Sequence, residues 1–393
     1  MHMLTNSMFD GCCFETELKY LELFPGGFFN FRQIKAATHN FSSANKIGEG
    51  GFGPVYKGVL PNGAPIAVKQ LSPKSKQGVR EFVNEIGTIA ALQHPNLVKL
   101  LGCCTEDNQL LIVYEYMENN SLAHALFGPE EFRSRLNWPT RVKICLGMAK
   151  GLAFLHEESK LKIVHRDVKP TNVLLDKDLN AKISDFGFAK LYEDEKTHVI
   201  TRIAGTTGYM APDYAMRGYL TNKADVYSFG VVVLEIMSGK NSMKYKPNEE
   251  SFYLLDLAYV LQEKGNLIAL VDSTLRYDYS MKEALTILEL AMLCTNPSPT
   301  LRPTMSEVVR ILEGKTQMKA PPLHAPYSMD DFARAKAMAD IPLSTQSDGT
   351  FRDGTSNAFS SLLASQEGEE GNVSVYYSLE ISDNTGSSSK KIS

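Results

Sequence analysis

The sequence predicts an α+β protein of two lobes, a small β-rich lobe followed by a larger helical one. Three observations carry that expectation. Short apolar runs bounded by turn residues crowd the first third of the chain, as in PIAVKQL, LVKLLGCCTE and QLLIVYEYM. From Trp138 onward the apolar spacing becomes helical, first in WPTRVKICLGMAKGLAFLHEES. A later segment, KADVYSFGVVVLEIMSG from Lys223, is apolar nearly all round and so belongs inside the fold.

Taken in order, residues 1–30 show no periodicity, and Phe-Pro-Gly-Gly-Phe-Phe around Pro25 reads as a loop. FRQIKAATHNF reads as a short helix with Ile34, Ala37 and Phe41 on one face. Two strands flank a glycine loop, a turn follows at Pro61-Asn62-Gly63, and PIAVKQL forms a third strand. Residues 78–92 form an amphipathic helix presenting Phe82, Ile86 and Ile89. Two more strands complete a five-stranded sheet. Met281–Cys294 and Met305–Leu312 are further helices. After Lys315 the composition turns to Ser, Gly, Asp and Glu, which predicts disorder over 316–393. The expected boundaries are an unmatched leader at 1–30, an extension at 31–46, a first lobe at 47–117, a second lobe at 118–315 and a tail.

Bulk composition narrows the class. Hydrophobic residues at 43 % and charged residues at 22 % suit a globular protein rather than a disordered one. A net charge of -4 gives no general pull toward nucleic acid, which is not an expected partner. The six cysteines include two adjacent pairs, Cys12–Cys13 and Cys103–Cys104, and show neither a disulfide framework nor zinc spacing, so a reducing compartment is expected. No stretch approaches the roughly 20 apolar residues that span a bilayer. The chain as written is expected to be cytoplasmic. Association with a membrane is expected only through acylation of Cys12 and Cys13, or through a span encoded in a longer gene, which would place it at the plasma membrane.

Five motifs in fixed order carry the chemistry. Gly48, Gly50 and Gly53 make G-x-G-x-x-G within IGEGGFGPV, Ile47 to Val55, where glycine lets backbone amides approach phosphate oxygens. Alone the motif is weak, because dinucleotide sites share it. Here a strand, GPVYKG, returns directly after the loop where a dinucleotide turn would need a helix. Lys69 then closes IAVK and is expected to hold the α- and β-phosphates of ATP. It needs an anionic partner, and Glu81 and Glu85 both lie on the next helix. Glu85 sits about 60° from Phe82 around the helix, beside the apolar stripe, whereas Glu81 falls farther toward solvent. Glu85 is therefore the expected partner and Glu81 a surface charge.

HRDVKPTN, His165 to Asn172, supplies the reacting groups. Asp167 is expected to accept the proton of a substrate hydroxyl and Asn172 to bind magnesium. Lys169 is expected to offset charge on the transferred phosphoryl group. Asp185 of SDFG is the second expected magnesium ligand, since hard oxygens with phosphates and waters suit that ion's octahedral preference. Arg166 offers a bidentate site for a phosphate on the activation segment, with Thr197 and Thr201 as candidate acceptors or as plain loop hydroxyls. Together these parts imply ATP- and magnesium-dependent phosphoryl transfer.

Residues from about 31 to 315 resemble the plant receptor-like serine/threonine kinases, relatives of the Pelle kinases, and within them the leucine-rich-repeat receptor kinases with a malectin-like region. The resemblance lies in FRQIKAATHNFSSANKIGEGGFGPVYKG, REFVNEIG, HPNLVKLLGCC, LLIVYEYMENNSLAHALFG and GTTGYMAPDYAMRGYLTNKADVYSFGVVVLEIMSGK. It implies a bilobal protein kinase fold, with an antiparallel sheet and one key helix in the N-lobe. It makes Tyr114–Met117 the gatekeeper and hinge, with Glu115 and Met117 presenting backbone groups to adenine and Val55, Ala67 and Leu174 sandwiching it. The rest of the glycine loop, Ile47, Glu49, Gly51, Phe52 and Pro54, completes the nucleotide cradle. Thr206 matches the threonine that faces the catalytic aspartate in serine/threonine kinases. Protein substrates and a receptor or co-receptor kinase are the implied partners.

Two departures stand out. Asp213 replaces the glutamate of Ala-Pro-Glu, so its pair with Arg302 is expected to be strained or bridged by water. Phe188 stands where leucine is usual after Asp-Phe-Gly. The rival readings are a pseudokinase scaffold, disfavoured by the presence of Lys69, Asp167 and Asn172, and a tyrosine kinase, disfavoured by Lys169 and Thr206.

Overall fold

The computed structural model describes residues 27–50, 53–90, 92–192, 199–201, 203–242, 253–276 and 278–318. The Cys12–Cys13 pair, Gly51, Phe52, Thr197 and the tail from residue 319 fall outside them.

The small lobe is built on a six-stranded sheet. Its strands are β1 (Gly27–Phe28), β2 (Lys46–Gly50), β3 (Gly53–Val59), β4 (Pro65–Leu71), β5 (Leu100–Cys104) and β6 (Leu110–Glu115), in the spatial order β1-β5-β6-β4-β3-β2. All pairings are antiparallel except β1 with β5, where Gly27 lies opposite Gly102 and Phe28 opposite Cys103. The five-stranded antiparallel expectation therefore gains a sixth, parallel edge strand. Two residues are too short to display a period of two, which is why the sequence reads there as loop.

Strand alternation sends neighbouring residues to opposite faces. On the inner face Leu71, Cys103, Leu110, Ile112 and Tyr114 pack against Phe82 and Ile86 of α2 (Lys76–Ile89). Ile66, Val68, Cys104, Leu111 and Val113 point outward, where Ile34 and Ala37 of α1 (Phe31–Ala37) cover them. Cys103 and Cys104 thus bury on opposite faces of one sheet and cannot bridge. A capping box between Asn30 and Gln33 opens α1. The helix stops before Phe41: the Thr38 hydroxyl bonds back to the Ile34 carbonyl at 2.8 Å, and His39, Asn40 and Phe41 follow with φ of 51, 59 and 52°. Phe41 instead stacks on Phe31 and meets Tyr56 edge-on.

The large lobe contains α3 (Leu122–Phe127), α4 (Glu130–Arg133), α5 (Trp138–Ala153), α6 (Pro212–Arg217), α7 (Lys223–Ser238), α8 (Leu254–Glu263), α9 (Met281–Cys294) and α10 (Met305–Leu312). As its composition demands, α7 is buried almost throughout, packed between α5 and α9. Short strands β7 (Lys162–Val164), β8 (Val173–Leu175), β9 (Ala181–Ile183) and β10 (Lys190–Tyr192) lie toward the small lobe and carry the loops with the polar motifs. The long helix predicted from Trp138 is regular only to Ala153 and continues as one wider π-type turn, Phe154–Glu158. Among the described residues no helix is long and apolar enough to cross a membrane.

Candidate active site

Strand register brings the phosphate-facing groups together. β2 and β3 pair Glu49 with Pro54 and Gly50 with Gly53, so the glycine loop is the tip of a hairpin, with Ile47 at the register shift. Gly53 has a φ of 125°, and a Cβ there would fall 2.0 Å from the Gln70 carbonyl oxygen on β4, so only glycine fits. Val55 lies opposite Lys69, and Ala67 opposite Tyr114. Ala67 and Leu174 pack beside Tyr114 at the edge of the small-lobe core.

Lys69 joins both lobes. Its Nζ lies 2.8 Å from Glu85 Oε2 and 2.7 Å from Asp185 Oδ1. Burial alone would lower the lysine's pKa, but the charges of Asp185 and Glu85 outweigh it and hold the ammonium protonated. Burial likewise pushes Glu85 up, so its ionised form rests on Lys69 and on the Tyr114 hydroxyl, which donates to its other oxygen. For Asp185, burial opposes ionisation and Lys69 overcomes it, leaving the carboxyl below its ordinary range.

Glu81 corrects the sequence reading. It is buried, not a surface charge: its side chain lies against Gly187, accepts from Gln77 Nε2 at 2.6 Å, and is pushed up to about 7 by burial. Helical-wheel geometry places it away from the sheet. It cannot reveal that the turn after Asp185 packs on that flank of α2. Asn84 makes the same contact explicit, donating to the carbonyls of Phe186, Gly187 and Ala189.

On the large-lobe side, Asp167 is 3 % exposed and held from three directions. Thr206 Oγ1 donates to its Oδ1 at 2.7 Å, while Lys169 Nζ and Asn172 Nδ2 lie 2.9 and 3.0 Å from its Oδ2. Lys169 also donates to Thr206 at 2.8 Å. Asn172 spends its amino group on Asp167, which leaves its carbonyl oxygen for a cation. Among the described residues no three His, Cys, Asp or Glu groups gather as a metal cage. Asn172 and Asp185 nevertheless fit magnesium, a hard ion that takes one or two protein oxygens and fills its shell with phosphates and water.

The anchor of this loop, Asp225 on α7, was not singled out from the sequence. It is fully buried and accepts from the His165 N–H at 2.7 Å, the Arg166 N–H at 2.8 Å and His156 Nε2 at 2.9 Å. Burial opposes its ionisation, but these bonds hold its carboxyl below the usual range. A carboxylate in the first turn of a nearly all-apolar helix was the available signal, since such a group, once buried with the helix, requires donors.

Arg166 donates to the Tyr214 hydroxyl at 2.6 and 3.0 Å and to the Phe188 carbonyl at 3.2 Å. Thr201 accepts from Lys190 Nζ at 3.1 Å, and burial together with the charge of Arg166 lowers that lysine's pKa. Asp213 reaches Arg302 directly, Oδ1 to Nη2 at 2.5 Å, with no need of bridging water. The shorter side chain suffices because Arg302 is pulled into place by the carbonyls of Asn296, Lys223 and Pro297 and by the face of Tyr227.

The two-lobed fold and this arrangement of lysine, glutamate and two aspartates between the lobes define a protein kinase. Residues 41–312 match the family described as protein tyrosine and serine/threonine kinase, and the chain belongs to that family. It is similar to probable leucine-rich-repeat receptor-like serine/threonine-protein kinases of Arabidopsis thaliana. One is 69 % identical over 305 residues, 78 % of this chain and 29 % of the relative. A second is 68 % identical over 306 residues, 78 % and 30 % of the two chains, and a third 64 % identical over 300 residues, 76 % and 29 %. The chain thus spans less than a third of the length of these curated relatives.

Proposed function

We propose that this protein transfers the γ-phosphoryl group of ATP to serine and threonine hydroxyls of protein substrates, within receptor-type signalling. The observation that carries the reading is the simultaneous contact of Lys69 with Glu85 and Asp185, which assembles the charges of both lobes around one cleft. Lys69 binds the α- and β-phosphates. The glycine loop from Ile47 to Val55 covers them. The backbone of Glu115 and Met117 meets adenine, with Val55, Ala67 and Leu174 on its faces.

Asn172 and Asp185 would hold magnesium, which when bound would supply positive charge to the phosphates. Asp167 orients the attacking hydroxyl and takes its proton, because its carboxylate is already fixed by Thr206, Lys169 and Asn172. Lys169 offsets charge developing on the phosphoryl oxygens. Thr206 sits between base and cation, which fits a serine or threonine acceptor. Arg166, with Lys190 beside it, receives a phosphate on Thr197 or Thr201. The folded unit takes in the 31–46 extension, and the partner is a receptor or co-receptor kinase at the plasma membrane. A scaffold without catalysis is not favoured, because Lys69, Asp167, Asn172 and Asp185 are all present and the pairs they form are intact.

The test is incubation of the purified protein with labelled ATP and magnesium, followed by phosphoamino-acid analysis. Phosphoserine and phosphothreonine are expected. Asp167→Asn should lower turnover by about 10²–10⁴-fold while nucleotide still binds. Label on tyrosine alone, or none with the unmutated protein, would overturn the reading.

A further inference from the structure

Arg166 immediately precedes the catalytic aspartate, and its backbone is strained. Its φ is 72°, in the left-handed region, and its N–H is bound by Asp225 at 2.8 Å. Strain of this kind persists only where the surroundings over-determine it. The guanidinium is one of those surroundings. Its Nε and Nη2 donate to the Tyr214 hydroxyl at 3.0 and 2.6 Å, and Nη1 donates to the Phe188 carbonyl at 3.2 Å. Both groups are neutral acceptors. The cation also lies over the Tyr214 ring, 5.7 Å from its centroid.

Tyr214 sits on α6, where the activation segment ends, and its ring is buried with Val164, Ala211, Leu220 and Ala224. The hydroxyl that takes Arg166 also accepts from the Ala204 N–H at 3.0 Å and donates to the Ala204 carbonyl at 3.3 Å. Gly205 follows with a φ of 125°, and a Cβ there would fall 2.4 Å from the Arg166 carbonyl oxygen. Thr206 comes next and donates to Asp167 Oδ1 at 2.7 Å. One hydroxyl therefore ties the catalytic loop to the activation segment, two residues before the threonine that fixes the base.

A phosphate on the activation segment would bind Arg166 through paired, charge-assisted hydrogen bonds and so order the residues before Thr206. The Tyr214 hydroxyl already takes two N–H groups of Arg166 and already joins them to that segment. We propose that Tyr214 is a positioning residue that does for the unphosphorylated activation segment what a phosphate would otherwise do, so that the kinase transfers phosphate before its own segment is modified. A phosphate arriving later reinforces an arrangement that already stands. Tyr214 reaches the reacting groups only through Arg166 and residues 204–206. The inference rests on the reading of this cleft as a phosphoryl-transfer site in which Arg166 receives a phosphate.

The experiment measures kcat, and KM for ATP, on myelin basic protein with the full chain and its Tyr214→Phe variant. Each is prepared in two forms, stripped by a phosphatase or phosphorylated by immobilised unmutated chain, and its phosphates are counted by intact mass. Phenylalanine keeps the ring and its packing and removes only the hydroxyl. On stripping, the unmutated chain should lose less than about threefold in initial kcat. Tyr214→Phe should lose about ten- to hundredfold on stripping, the worth of hydrogen bonds to a charged group, and should recover once phosphorylated, with KM for ATP unchanged. Equal losses for the variant in both forms would make the hydroxyl a purely structural bond, and no loss in either would make it idle. A drop of about tenfold or more on stripping the unmutated chain would show that the phosphate is required. That measurement needs no variant, so it holds even where Tyr214→Phe does not fold. Each of these three results overturns the proposal. If the unmutated chain transfers nothing in either form, the phosphoryl-transfer reading falls with it, whereas transfer that depends on phosphate sinks the role of Tyr214 alone. Melting temperatures within a few degrees of the unmutated chain separate loss of positioning from loss of the fold.

Discussion

The two lobes position their reactive groups by different means. In the small lobe, side chains hold side chains: Lys69, Glu85 and Tyr114 come from two strands and a helix, and they are joined through their mutual contacts and the one from Lys69 to Asp185. In the large lobe, a buried side chain holds backbone: Asp225 grips the amides of His165 and Arg166, and the loop carrying Asp167 has little freedom once α7 is packed. The first arrangement comes apart if α2 moves by a few ångströms. The second survives unless the core itself opens. Stability and adjustability are thereby assigned to different halves of one site.

Asp225→Ala tests the large-lobe half and should have the largest effect. It leaves two backbone amides and His156 without their acceptor in a fully buried place, so stability should fall by about 3–5 kcal/mol in denaturant titration, with loss of activity to match. Retained stability would show that the loop is held by its flanking strands instead. In the small lobe, Lys69→Met should lower turnover by about 10²-fold or more, with a smaller loss for Glu85→Gln and little change in melting temperature. Because both act on one pair, the double variant should lose less than the product of the two factors. Fully multiplicative losses would mean that Glu85 acts apart from Lys69.

A third variant uses acidity to compare the lobes. Glu235 on α7 is buried, accepts from the Tyr209 hydroxyl at 2.9 Å and the Ser242 N–H at 2.6 Å, and its second oxygen has no partner among the described residues. Burial pushes its carboxyl from 4.5 up to about 8. The folded protein therefore keeps a proton that the unfolded chain releases, and stability falls as pH rises from the unfolded value through the folded one. Glu235→Gln, which mimics the protonated form, should raise the melting temperature at about pH 8.5 and change it little at about pH 5. An equal shift at both values would refute the assignment. The smallest effect is expected from Asp213→Glu. The aspartate already meets Arg302, so one more methylene crowds the contact and should lower stability by about 1 kcal/mol. A higher melting temperature would show that the pair is stretched in solution.

Much of this molecule was legible in the sequence because its chemistry is local. The glycine loop, HRDVKPTN and SDFG each place their groups within a few residues, and the order of strands and helices follows from periods of two and 3.6. The choice of Glu85 over Glu81 was also legible, since it depends only on the turn of one helix. The sequence could not say that Glu81 is buried, because that depends on which surface covers the far side of α2. Nor could it reveal the Tyr114 hydroxyl on Glu85, the Asp225 anchor, the direct reach of Asp213 or the Glu115–Lys182 contact. These join residues 29, 69, 89 and 67 positions apart along the chain, taking for Asp225 its farthest partner, His156. Local pattern determines what each segment is. Only packing brings distant polar groups within 3 Å in a dry interior, where an unmet donor or charge is costly enough to fix its partner.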